Sequence, residues 1–259
     1  EGVAAGTPAR VELTFDVQSI DLAWSIEGGG MLVYSRGGRD GPGVYARTVD
    51  ASLALGDLVD VDLGKAAQVA VISGQGRWAA AWLENGVQVP DLSFVLLDRN
   101  GLQTEPRQVP SGAPGGVSLA YGQNLFAAAW TRSGTNGDGD PIREPTLSLF
   151  EGGEVSATVR VRGPSGSGVA RDVAWLGAQG FAVAWEGLSA DEGSLGVTRV
   201  NSQNTDSVQI EVFPEADEAH FGLSLAIERD RADPRISLWT TNDPEHELTG
   251  YSSAARVQM

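Results

Sequence analysis

Cysteine is absent from the 259-residue chain, which removes disulfides, thiol nucleophiles, Fe–S ligation and thiolate zinc sites together. Lysine is nearly absent too: Lys65 stands alone among 18 basic residues, which face 34 acidic ones for a net charge of -16. Such a field repels nucleic acid and anionic membrane surfaces, so neither is expected as a partner. Histidine occurs twice, at His220 and His246. No apolar run is long enough to span a bilayer, and no membrane insertion is expected. The start, Glu1 to Ala9, lacks the basic and apolar regions of a signal peptide and reads as a short linker. No stretch holds apolar residues at helical spacing over three turns, which argues against helices.

What the chain has instead is glycine, at 34 residues, and a repeat. A short apolar strand, a tight turn and a second strand ending in an aromatic recur five times. The copies are IDLAWSIEGGGMLVYS from Ile20, VAVISGQGRWAAAWL from Val69, VSLAYGQNLFAAAWT from Val117, DVAWLGAQGFAVAWE from Asp172 and LSLAIERDRADPRISLWT from Leu223. The closing aromatics are Tyr34, Trp82, Trp130, Trp185 and Trp239, at intervals of 48, 48, 55 and 54 residues. Each of the five copies is followed by a third strand, such as VYARTV from Val44, and the first four also by a fourth, such as LVDVDL from Leu58. The fold expected is all-β: a five-bladed β-propeller of four-stranded antiparallel blades, in one domain over 1–259. The blades run approximately over 19–63, 66–110, 115–163, 168–214 and 218–259. The fifth lacks a fourth strand, and VELTFDV at 11–17 is expected to supply it and close the ring.

The Ala-Trp strands resemble the degenerate propeller repeats of exported bacterial proteins. That resemblance implies an extracellular, periplasmic or cell-surface setting in a bacterium. Five-bladed propellers include sugar-binding lectins, glycoside hydrolases and nucleotide phosphohydrolases, so the resemblance does not select one activity.

Three residue sets carry candidate chemistry. Asn136, Asp138 and Asp140 alternate with glycines and are followed by Glu144, resembling half of a calcium loop, in which glycine lets the backbone wrap a cation held by side-chain oxygens. Calcium is the one cofactor the sequence suggests, against a solvated Gly/Asp turn as the plain alternative. His220 and His246, with Glu218, would suit a transition metal, although neither histidine has a paired neighbour. Asp21 and Asp172 occupy matching places in two inner strands, IDLAW and RDVAW, with Val69, Ser118 and Ser224 in the other copies. A pair of axial carboxylates would suit a glycoside hydrolase or lyase. Trp78 breaks the repeat and is expected as an exposed ring open to a ligand, whereas the repeated aromatics are expected to pack between sheets. The functional expectation is a non-enzymatic module that binds a glycan, a cation or a protein through an acidic loop face. The alternatives are that hydrolase or lyase, and a structural assembly subunit.

Overall fold

The computed structural model describes residues 16–37, 43–62, 66–84, 91–102, 104–110, 116–135, 138–161, 167–187, 195–213, 223–228, 235–240 and 253–255. These form five antiparallel sheets in chain order. Sheet 1 is the meander β1 (Asp16–Trp24), β2 (Gly30–Gly37), β3 (Gly43–Val49) and β4 (Leu55–Asp62). In sheet 2, β5 (Ala66–Gly74), β6 (Arg77–Glu84) and β7 (Asp91–Asp98) are followed by an outer place divided between β8 (Gly101–Leu102) and β9 (Arg107–Pro110), both paired with β7. Sheet 3 is β10 (Ser118–Gly122), β11 (Leu125–Thr135), β12 (Pro141–Glu151) and β13 (Glu154–Arg160). Sheet 4 is β14 (Gly168–Trp175), β15 (Phe181–Gly187), β16 (Leu195–Val200) and β17 (Ser207–Phe213). Sheet 5 has three strands among the described residues: β18 (Leu223–Glu228), β19 (Arg235–Thr240) and β20 (Ser253–Ala255). Among the described residues the single helical element is the 3-10 turn Gly177–Gln179, and none is long and apolar enough to cross a membrane.

Turn chemistry sets the first hairpin of sheets 1 to 4. Gln75 and Gly76 join β5 to β6 with φ of 53° and 68°, and Gln123 and Asn124 join β10 to β11 with φ of 50° and 64°. Two successive positive φ values match the right-handed twist of the flanking strands, the reason such turns favour Gly and Asn. Sheets 1 and 4 use wider turns, closed by Ser25 N–H to Gly29 O at 2.9 Å and Leu176 N–H to Gly180 O at 2.8 Å.

The second strands explain the alanines. Ala79, Ala80 and Ala81 are wholly buried, as are Ala127 and Ala128, because these strands are covered on both faces and cannot alternate apolar with polar. One core lies between sheets 1 and 2 (Val33, Val44, Val69, Trp82) and another between sheets 2 and 3 (Phe94, Phe126, Trp130, Phe150). A third lies between sheets 3 and 4 (Leu147, Val173, Phe181, Trp185). In the second of these, the Phe94 and Phe150 rings stack with centroids 3.8 Å apart. The repeated aromatics Tyr34, Trp82, Trp130 and Trp185 are buried as packing residues. Trp130 donates its indole N–H to Ser148 Oγ at 3.0 Å, and Trp185 donates to Thr198 Oγ1 at 2.9 Å.

Inner strands of successive sheets lie side by side, and the first strand of one sheet bonds to the first or second strand of the sheet before it. Val69 N–H donates to Ser19 Oγ at 3.1 Å, Ser73 Oγ donates to the Trp24 carbonyl at 2.9 Å, and Ala170 N–H donates to Thr131 Oγ1 at 3.1 Å. β14 packs against β18, carrying the series into sheet 5. Face-to-face sheets with neighbouring inner strands make the fold propeller-like.

Two expectations change. Asp16 and Val17, the end of the segment expected to close the ring, begin β1 and pair with Gly37 and Arg36, so sheet 1 starts before residue 19. Residues 11–15 lie outside the described residues. Trp78 is not an exposed ring: it is 2% exposed within the core of sheets 1 and 2, because its place in β6 faces sheet 1 rather than solvent.

Candidate functional site

The inner strands β1, β5, β10 and β14 end together around a central cup of about 650 Å³. Tyr121 and Trp175 line it with Ile26, Ile72, Ser73 and Gln75, and Glu27 stands at its wall. Glycines make room for the rings. A β-carbon on Gly122 would lie 2.0 Å from the Trp175 ring, and one on Gly74 would lie 2.3 Å from the Tyr121 ring. Each aromatic therefore lies over the backbone of the preceding sheet, which fixes its plane. Phe126 and Phe181 brace Tyr121 and Trp175, each pair of centroids being 4.8 Å apart. Burial pushes the Tyr121 phenol above its ordinary pKa, and a hydrogen bond with Gln75 partly opposes this, so the hydroxyl stays neutral at physiological pH. Aromatic surface beside a hydroxyl and an amide suits a neutral polar ligand with an apolar face.

Asp21 and Asp172 do hold matching registers, opposite Val33 and Ala184. Ser118 shares that register, but Ala70 and Leu225 take the places assigned to Val69 and Ser224. Asp21 accepts from Val71 N–H on the next inner strand at 2.8 Å and from its own Leu22 N–H at 2.9 Å. Asp172 accepts from Ser118 Oγ at 2.5 Å and from Val173 N–H at 2.8 Å. Both carboxylates thus tie neighbouring inner strands together.

Three of the four expected calcium residues, Asp138, Asp140 and Glu144, lie among the described residues. β11 and β12 form one long hairpin in which Thr135 faces Pro141, so Asp138 and Asp140 stand exposed near its tip. Glu144 lies three rungs back, on the order of 10 Å along the strand. It is buried over Gly134 and ion-paired with Arg160 at 2.8 Å. Asn136, His220, His246 and Glu218 lie outside the described residues, as do most of the acidic second-to-third strand loops. Among the described residues no three acids or histidines gather as metal ligands would.

A second hollow was missed by sequence reasoning. Between sheets 1 and 2 a cleft of about 590 Å³ is lined by Glu27, Thr48, Asp50, Leu55, Trp78 and Arg99, with Gly28, Gly29, Gly30 and Gly56. The signal was present as GGG beside an acidic five-residue turn, but it reads equally as ordinary turn punctuation.

The class defined by these features is an all-β, propeller-like protein with a central aromatic cup. No family profile and no curated protein matches the chain. Solved structures do share the fold. A protein of unknown function from Dyadobacter fermentans is 8% identical with a TM-score of 0.53, over 94% of this chain and 84% of the other. A neuraminidase-like protein from A/bat/Guatemala/164/2009 is 8% identical with a TM-score of 0.51, over 93% and 76%. The polysaccharide lyase Uly1 is 9% identical with a TM-score of 0.50, over 86% of this chain and 55% of the lyase.

Proposed function

We propose that this chain is a closed five-bladed propeller that binds a neutral carbohydrate in its central cup without chemically altering it. The observation that carries the binding reading is the cup itself, where Tyr121 and Trp175 meet Ser73 and Gln75 at the ends of four inner strands. Sugars present C–H faces that lie against aromatic rings and hydroxyls that bond to amides and alcohols. The non-enzymatic part rests on Asp21 and Asp172, whose carboxylates are engaged by neighbouring strands.

Closure is supported by the open face of sheet 1. Ile20 is 51% exposed, whereas Val69 and Ala170, which oppose the corresponding aromatics Trp82 and Trp185, are each 4% exposed. Leu22, Trp24 and Leu58 lie exposed on that same face. In sheets 2 to 4 the preceding sheet covers the matching positions, so sheet 5 is the natural cover here. Residues 11–15, continuing the chain ahead of β1, then complete sheet 5 as its fourth strand.

The competing reading is a lyase or glycoside hydrolase, since one structural neighbour is a polysaccharide lyase. Thermal shift against neutral and acidic oligosaccharides, with chromatography of the products, separates the two. Binding predicts a raised melting temperature with intact glycan, weakened by Trp175→Ala. Product formation that Asp21→Asn and Asp172→Asn abolish would replace binding with catalysis, and no shift with any glycan would remove the carbohydrate reading.

A further inference from the structure

The central cup and the cleft between sheets 1 and 2 meet at one turn, residues 25–29 between β1 and β2. Ser25 and Ile26 line the cup, Gly28 and Gly29 line the cleft, and Glu27 lines both. The Glu27 carboxylate stands at the junction itself. A β-carbon on Gly76, a cup residue, would lie 3.7 Å from both its oxygens, and Arg99, a cleft residue, pairs with it at 3.3 Å. The Arg99 and Glu27 side chains are 57% and 60% exposed, so their ion pair makes a sill open to solvent rather than a wall. Each hollow alone has the volume of a small-molecule site, and the two joined offer more room than one small ligand fills.

On the cleft side of the sill, Asp50 is fixed by its own turn. Its Oδ1 accepts from Ser52 N–H at 2.8 Å, Ser52 Oγ at 2.7 Å and Ala54 N–H at 2.9 Å. Three bonds on one oxygen orient the carboxylate and leave Oδ2 without a partner among the described residues. The Ser52 hydroxyl, foremost, holds the carboxyl below its ordinary pKa, so the free oxygen is charged at neutral pH. A charged, immobilised acceptor in a hollow favours hydroxyl donors, whose bonds to it are charge-assisted, and repels other carboxylates.

We propose that the cup and the cleft are successive subsites of one groove, whose ligand is a linear neutral oligosaccharide rather than a single sugar. One sugar unit lies in the cup against Tyr121 and Trp175, and a later unit lies in the cleft and donates hydroxyls to Asp50 Oδ2. Glu27 and Arg99 present an acceptor and a donor to the chain where it crosses the sill. Uronate units are disfavoured in the cleft by the Asp50 charge. This inference rests on the carbohydrate reading of the cup and specifies the ligand of that same site.

The test is calorimetric titration of the full chain with glucose, mannose and galactose oligomers of one to four units. In a series that binds, the tetramer should bind about tenfold more tightly than the monomer. Asp50→Asn should cut that ratio about fivefold, because a charge-assisted bond becomes a neutral one. Ala54→Leu, which narrows the cleft and keeps the backbone bond to Asp50, should also cut it and serves if Asp50→Asn proves unstable. Trp175→Ala should weaken monomer and tetramer alike and preserve the ratio. A tetramer bound no more tightly than the monomer, a gain that survives both cleft variants, or an equal gain with oligogalacturonates would overturn the extended neutral groove while sugar binding in the cup stands. Absence of binding in all three series would overturn both.

Discussion

A β-carbon has no place at Gly122, where the Trp175 ring would sit 2.0 Å away. Gly122→Ala should therefore force the ring or the strand aside and lower stability by about 1–3 kcal/mol, read by denaturant unfolding. It should also weaken any ligand of the cup, because Trp175 lines it. Asp50 gives a pH-dependent counterpart. The Ser52 hydroxyl first, and then the Ala54 N–H, hold its carboxyl below the ordinary value of 3.8. Its contribution is present above the unfolded value and is lost as pH falls through the lower folded one. Asp50→Asn should therefore be less stable than the parent near neutral pH, with the gap closing in acid, as unfolding midpoints across a pH series would show. At this scale the sequence revealed that Asp21 and Asp172 match, because both stand three residues before a tryptophan. It did not reveal what they bond to, since Val71 and Ser118 are 50 and 54 residues away in the chain. Trp78 and Trp82 were told apart only by the repeat, yet both face the core of sheets 1 and 2.

The hairpins were the most legible elements, since a Gly or Asn turn between two apolar runs specifies both the strands and their pairing. Register was less so. The first hairpins of sheets 1 and 2 turn through five residues (25–29) and two (75–76), which offsets their inner strands, and that is why Ala70 rather than Val69 matches Asp21. Glu144 shows the same limit: counted along the chain it stands near Asp140, but hairpin pairing places it opposite Arg132 and buries it. The β3–β4 turn offers a test of backbone strain. Leu53 holds φ of 66° while exposing its side chain, a conformation that costs a branched side chain more than glycine. Leu53→Gly should raise stability by about 0.5–1 kcal/mol in thermal or denaturant unfolding, with the sheet 1 pairing unchanged.

At the scale of the whole molecule, five repeats implied five sheets, and five are present among the described residues. The joining of first to last is what the repeat could not demonstrate, because closure depends on contacts between segments farthest apart in sequence. The exposed face of sheet 1, with Ile20, Leu22 and Trp24, gives closure a physical motive: such apolar surface is stabilised by being covered. Removing Glu1–Thr7 should change melting little, whereas removing Glu1–Phe15 should lower it sharply while leaving β1 intact. The most direct measurement is amide hydrogen exchange on the intact chain. A closed five-bladed ring predicts that residues 11–15 exchange slowly and together with 253–255, as one strand pair in sheet 5. Exchange of residues 11–15 at the rate of an unstructured peptide, while sheets 1 to 4 stay protected, would contradict closure.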